Sequence, residues 1–141
     1  MDNKEFALKL KDIFLNARGI SNFKIEEGIK GMIPVLKILC DSDKEITPKD
    51  IEDELSITSA RTARVLNQLQ EKNYIKRIKS ENDKRKTIVV LTEEGKKISL
   101  MHREMFYKNI DIMLKDITDS EKEMFLKLME KMVNNLKERN D

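Results

Sequence analysis

Apolar residues recur along this chain in blocks of helical spacing, separated by short polar stretches that carry the signatures of helix ends. From about Lys4 to Ala17, Phe6, Leu10, Ile13 and Phe14 fall on one side of a first helix. The apolar stretch Met32 to Cys40 predicts a second helix from about Ile33 to Asp41, and Pro34 fits it only if the helix starts just before that residue. Between the two lie Gly19, Gly28 and Gly31, which suggest a bend or a loose connection.

A third helix is announced by Thr47, a hydroxyl cap, and by Pro48 at the first helical position, where a missing N–H costs nothing. Ile46 and Ile51 can clasp as a hydrophobic staple, and Asp50 sits at the positive end of the helix, which runs to about Leu55. Ser56, Ile57 and Thr58 form a short connection whose last residue can cap a fourth helix, roughly Ser59 to Lys72. At 100° per residue, Ala63, Leu66 and Leu69 are expected on one face with Thr62, and Arg61, Arg64 and Gln68 on the other. Asn73 stands where a left-handed terminator belongs. Tyr74 to Lys79 and Thr87 to Leu91 then read as paired strands around polar Ser80 to Lys86, the first inferred mainly from its partner because its alternation is poor.

Thr92 caps a further helix, with Glu93 and Glu94 in its first turn and Ile98, Met101, Met105 and Ile112 at helical spacing. Thr118-Asp119-Ser120-Glu121 forms a capping box that opens a last helix with apolar Met124, Phe125, Leu128, Met129, Met132, Val133 and Leu136. A stripe that broad at the end of the chain must bury against something, and a partner chain is the economical cover, with packing inside a monomer as the alternative. The expected architecture is mainly α with a small β-hairpin wing (α+β): a helical arm and connection over 1–31, a winged helix-turn-helix lobe over 32–95, and C-terminal arm helices over 96–141.

Charge sharpens the picture. The 141-residue chain is only +2 overall, yet residues 56–92 hold nine Lys and Arg against Glu71, Glu81 and Asp83, a surplus of six, while Asp41 to Leu55 is acid-rich. Segregation of this kind is the electrostatic footprint that phosphate binding needs. Arg61 and Arg64 are the best candidates to read bases, because a guanidinium fork matches the two acceptors of guanine, although contact with phosphate alone would use them equally well. Ser59, Asn67 and Gln68 could bond bases or phosphates, or simply form a solvated polar face. Thr58 could cap its helix and touch the backbone of a duplex.

These features resemble the MarR family of bacterial winged-helix regulators, whose wing ends in Asp-x-Arg followed by a strand and Leu-Thr-x-x-Gly. This chain has Asp83-Lys84-Arg85 and then Leu91-Thr92-Glu93-Glu94-Gly95. It departs from the family pattern at Glu52 in the third helix, at Ser56 where the turn usually has Gly, and at Asn73 where Gly usually follows the reading helix. The resemblance covers most of the chain and implies a homodimer whose terminal helices intertwine, a double-stranded DNA operator with inverted repeats, and repression by occluding a promoter. It also implies that Arg85 enters the minor groove with Asp83 supporting the wing and Lys84 and Lys86 attracting phosphate, and that a small-molecule effector binds between the dimer arm and the DNA-binding lobe.

Other chemistry has little foothold. No apolar run approaches the roughly 20 residues that span a bilayer, and the first residues lack a signal-peptide pattern, so a cytoplasmic location is expected. One Cys and one His cannot build a closed zinc site without several carboxylates, and the four glycines form neither a phosphate loop nor a nucleophile elbow. No enzyme, metal or cofactor is expected. Cys40, on an apolar helix, reads as inert core rather than a redox sensor, and His102 as a surface residue rather than a metal ligand. The eight methionines read as adaptable core, or as a flexible lining for a lipophilic effector. The rival function is a winged-helix protein-interaction module whose basic face meets an acidic partner without sequence-specific DNA binding.

Overall fold

The computed structural model describes residues 1–17 and 31–139, without the side chains of 14–17. The bend suggested around Gly19 and Gly28 therefore lies outside the described residues, as does the side chain of Phe14. Among the described residues eight elements follow in order: α1 (Asn3–Ala17), α2 (Ile33–Asp41), α3 (Pro48–Leu55), α4 (Ser59–Glu71), β1 (Ile75–Lys79), β2 (Thr87–Leu91), α5 (Glu93–Met113) and α6 (Asp119–Glu138). No helix among the described residues is long and apolar enough to cross a membrane.

Local chemistry sets the ends of α3 and α4. Thr47 Oγ1 accepts from the Asp50 N–H at 3.2 Å, and Asp50 Oδ2 accepts from the Thr47 N–H at 2.8 Å. Asp50 thus does more than favour the positive helix end; it closes a capping box. The helix stops at Ser56, whose φ of 51° is left-handed, and Ile57 N donates to Glu52 O at 3.2 Å. Thr58 caps α4 by accepting from the Arg61 N–H at 3.2 Å. Asn73 ends the turn that follows, with φ 60°. Asn73 N donates to Gln70 O and Tyr74 N to Leu69 O, both at 2.9 Å, the paired bonds of a Schellman terminator.

The buried face of α4 differs from expectation at one position. It consists of Thr62, Val65, Leu66 and Leu69, and Ala63 is exposed. The reason is rotational: 62, 65, 66 and 69 follow the helical stripe of steps three and four, whereas residue 63 turns 100° away from Thr62 toward solvent. The Thr62 hydroxyl reaches its burial without penalty by donating to Thr58 O at 3.0 Å.

Strands β1 and β2 pair antiparallel, with Ile75 opposite Leu91 and Lys79 opposite Thr87. Pairing starts at Ile75 rather than Tyr74, because the Tyr74 N–H is used in the helix terminator. On β1 only Ile75 is buried, which accounts for the poor alternation of that strand. Ile46 adds an isolated bridge to Val89, with Val89 N donating to Ile46 O at 2.7 Å, and so ties the entry of α3 to the hairpin. Helix α2 lies against α3 and β2, α3 against α4 and β2, and α4 against β1. Their shared core is Met32, Val35, Leu36, Ile51, Val65, Leu66, Leu69, Ile75, Ile88 and Val89.

The hairpin hands over to α5 through Leu91-Thr92-Glu93-Glu94-Gly95. Thr92 N donates to Tyr74 O at 3.1 Å, Thr92 Oγ1 donates to Asn73 O at 2.6 Å, and the same oxygen accepts from Gly95 N at 3.0 Å. Gly95 is buried, and a Cβ placed on it would sit 2.0 Å from Tyr74 O. Threonine and glycine at this spacing are thus one device: the hydroxyl bridges the terminator of α4 to the start of α5, and the missing side chain lets a carbonyl approach.

The chain divides into two compact units, Met1–Arg103 and Glu104–Asp141. In the second, the expected capping box opens α6, with Glu121 N donating to Thr118 Oγ1 at 3.3 Å and Thr118 N to Glu121 Oε2 at 2.8 Å. Donation to Oε2 from the Thr118 N–H, and then from the Thr118 hydroxyl, holds the Glu121 carboxyl below its ordinary pKa. No residue of α6 is buried: Met124, Phe125, Leu128, Met129, Met132, Val133 and Leu136 are all exposed. On α1, Phe6 and Ile13 are exposed and Leu10 is half-buried.

Candidate nucleic-acid interface

Helix α4 turns Thr62, Val65, Leu66 and Leu69 into the core, so its other face carries Ser59, Arg61, Arg64 and Asn67 exposed and Gln68 half-buried. Thr58 is exposed at the start of the helix, its oxygen engaged as the cap. Arg61, Arg64 and Gln68 share one flank, where with Gly31, Met32, Ala60 and Val65 they line a cleft of about 620 Å³. Two guanidinium groups one turn apart, on a helix held rigidly by its buried stripe and by caps at both ends, give a surface able to place donors against acceptor edges or phosphate oxygens.

The wing is built around Ser80, a buried residue just beyond β1. Ser80 Oγ donates to Glu45 Oε2 at 2.6 Å and accepts from the N–H groups of Asn82 and Asp83 at 3.2 Å each. Ser80 N donates to Lys86 O at 3.0 Å, and Lys86 N to Asp83 O at 2.9 Å. The loop is thereby closed on itself and moored to the segment before α3.

At its tip, Asp83 takes both sides of the Arg85 guanidinium, with Nε donating to Oδ1 at 3.1 Å and Nη2 to Oδ2 at 3.3 Å. The Arg85 N–H also donates to Oδ1 at 3.1 Å. The guanidinium and backbone bonds from Arg85 hold the Asp83 carboxyl below its ordinary pKa. The Arg85 side chain remains 91% exposed, so the clasp aims the arginine without hiding it. Lys84 and Lys86 are exposed on either side.

Two groups of contacts escaped sequence reasoning. One is the Ser80–Glu45 bond, between residues 35 apart in the chain. The other joins Arg77 on β1 to α4: Arg77 Nε donates to Gln70 Oε1 at 3.0 Å and Nη2 to Asn67 Oδ1. Neither has a local sequence signal, because each depends on how the hairpin folds back on what precedes it. Elsewhere the acid-rich stretch gathers Asp41, Glu45, Asp50, Asp53 and Glu54 with Lys37 and Lys44 around a separate cleft of about 700 Å³. Cys40 is a free, half-buried thiol on α2, and His102 is half-buried on α5.

Residues 33–86 match the sequence pattern of the MarR family. Among curated proteins, the chain is 31% identical over 86 residues to the uncharacterised HTH-type transcriptional regulator YwhA of Bacillus subtilis (strain 168), covering 61% of this chain and 62% of that protein. It is 30% identical over 121 residues to a second such regulator of the same organism, YdgJ, covering 84% of this chain and 66% of the relative. In both cases the match spans less than two thirds of the relative's length. Among solved structures, that of FabT from Streptococcus pneumoniae in complex with DNA superposes with a TM-score of 0.72 over 97% of this chain and 99% of that one, at 22% identity. The mainly helical winged-helix fold is therefore shared.

Proposed function

The chain belongs to the MarR family, and from that premise we propose that it is a sequence-specific transcriptional regulator that binds double-stranded DNA as a homodimer. The observation that carries the proposal is the pair of exposed basic features in one lobe: Arg61 and Arg64 beside Asn67 and Gln68 on one face of α4, and Arg85 at the tip of a closed loop flanked by Lys84 and Lys86. Arg61 and Arg64 read base edges in the major groove, Ser59, Asn67 and Gln68 add polar contacts, and Thr58 meets the backbone. Arg85 inserts into the adjacent minor groove while Asp83 orients it.

The exposed apolar stripe of α6, with Phe6, Leu10, Ile13 and Phe14 of α1, supplies the dimer interface. Two reading helices related by a two-fold axis meet inverted half-sites roughly 34 Å apart. Occupying such an operator over a promoter represses transcription. A small-molecule effector that binds the non-operator spacing of the two lobes more tightly shifts the population off DNA by that difference in affinity. In this reading 1–31 and 96–141 serve assembly and 32–95 serves DNA.

Selection from a randomised duplex pool by the purified chain tests the proposal. Recovery of an inverted repeat, with affinity falling steeply as salt rises, is the expected outcome. A folded dimer that enriches no sequence refutes it in favour of a protein-interaction module.

A further inference from the structure

Building on that DNA-reading assignment, we propose that Arg77 is a positioning residue that fixes the amide of Asn67 so that this side chain offers the duplex a donor and not an acceptor. The base pair under Asn67 is then G·C, with guanine toward the amide, in preference to A·T.

A guanidinium donates and never accepts. Whatever atom of the Asn67 amide meets Arg77 Nη2 must therefore be oxygen, and the same holds for Gln70 at Arg77 Nε. Asn67 and Gln70 lie three residues apart on α4, so one planar fork spans both and sets both amides at once. With Arg77 and Glu71 they surround a notch of about 280 Å³ between the helix and β1.

Because the amide is flat, turning Oδ1 back toward β1 directs the NH2 group the other way, on an exposed residue of the outward face one turn beyond Arg64. Recognition of adenine by asparagine needs oxygen and nitrogen together on the base edge, one accepting from N6 and the other donating to N7. With the oxygen committed to Arg77, only the donating half remains. Guanine offers such a donor two neighbouring acceptors, N7 and O6, whereas adenine offers N7 beside an amino group that repels it, thymine offers O4 alone and cytosine presents only an amino group.

The test is duplex selection with the full chain as wild type, Asn67→Ala, Arg77→Lys and Arg77→Gln, each checked for folding by circular dichroism and thermal midpoint. The base pair whose preference disappears in Asn67→Ala marks the contact, and in the wild type it is expected to be G·C. Arg77→Lys keeps the charge but loses the fork, so preference at that pair should fall by about fivefold or more while affinity and salt slope on unrelated duplex stay unchanged. Arg77→Gln supplies an acceptor as well as donors, lets the Asn67 amide turn over, and should admit A·T there.

A preference for A·T at that pair in the wild type overturns the inference. So does an unaltered preference in both Arg77 variants, an Asn67→Ala profile identical to wild type, or a loss in Arg77→Lys that is equal on all sequences, which is the mark of a phosphate contact. If the wild type itself selects no sequence, the DNA-reading assignment fails and this inference falls with it. If the wild type selects an operator that the variants read identically, only the role of Arg77 fails.

Discussion

Helices α4 and α6 both open on a threonine cap, and both carry a stripe of apolar side chains at helical spacing, yet the two stripes meet different surroundings. On α4 Val65, Leu66 and Leu69 are buried against α3 and the hairpin, within a core whose ten buried apolar residues, among those described, lie between Met32 and Val89. On α6 the side chains from Met124 to Leu136 remain 42–64% exposed. Periodicity thus reports that a face needs covering, and only the surrounding chain decides whether the cover is internal. The lobe closes its own core. The arm presents apolar surface of the kind that marks an association site.

The sharpest way to break this contrast is to charge the arm and leave the lobe alone. Leu128→Glu with Met132→Lys places an acid four residues ahead of a base, an arrangement that favours an isolated helix, while destroying the apolar stripe. The double variant is expected to sediment as a monomer with its helical content retained, and to lose about 100-fold or more in operator affinity as two half-sites stop acting together. A variant that remains dimeric would show that the stripe of α6 is not what joins the subunits.

The complementary experiment strikes the lobe from within. In Gly95→Ala the new methyl would stand 2.0 Å from Tyr74 O, a backbone atom that the Thr92 N–H also holds. The handover from hairpin to α5 must shift, and an overpacking cost of about 3 kcal/mol is expected, read as a lower urea midpoint at unchanged slope. Gly31→Ala is the control: its methyl would meet nothing within 4 Å, and the midpoint should move by less than about 0.5 kcal/mol. Equal effects at the two glycines would mean that the close approach at Gly95 relaxes freely.

How far each region was legible in the sequence follows the same division. Helix limits at Pro48, Ser59, Glu93 and Asp119 were readable because their caps are local: a threonine, then a carboxylate or a tight turn within three residues. Thr92 and Gly95 were visible as a pattern, but their reason was not, since it rests on a carbonyl of Tyr74. Ala63 is expected on the face of Thr62, Leu66 and Leu69 because it stands three residues before Leu66, but it lies 100° from Thr62 at the edge of the stripe, and the core takes Val65 on the opposite flank. At the interface, the exposed arginines could be named in advance. The Arg77 fork and the Ser80 mooring could not, because both depend on the strand register and on contacts made across the fold.

The wing allows a finer test of whether the lobe arranges its reading groups in advance. Arg85→Ala removes the clasped guanidinium and should weaken operator binding by about 1–3 kcal/mol, with only a slight loss of fold stability at neutral pH because the wing tip is exposed. In the protein alone, the Asp83 carboxyl should titrate below its ordinary value of 3.8. Because the folded pKa is depressed, the clasp is fully formed above the ordinary value and is lost as pH falls through the lower folded one. A carboxyl-carbon NMR titration should therefore show a low inflection in the wild type that moves up toward 3.8 in Arg85→Ala. Identical titrations would mean that Arg85 is not held at the wing tip in solution.

The smallest expected effect lies in the turn between α3 and α4, where the lobe carries a local conflict. Ser56 is left-handed at φ 51° and exposed. An L-residue other than glycine or asparagine is strained there by roughly 1–2 kcal/mol. Glycine relieves that strain but loses more chain entropy on folding, by roughly 0.5–1 kcal/mol. The difference favours Ser56→Gly by about 0.5 kcal/mol, seen as a slightly higher urea midpoint with duplex selection unchanged. Asn73, left-handed at φ 60°, suits that conformation better, so Asn73→Gly should gain less than Ser56→Gly. A greater gain at Asn73 would indicate that Ser56 is held in place by something more than the turn it ends.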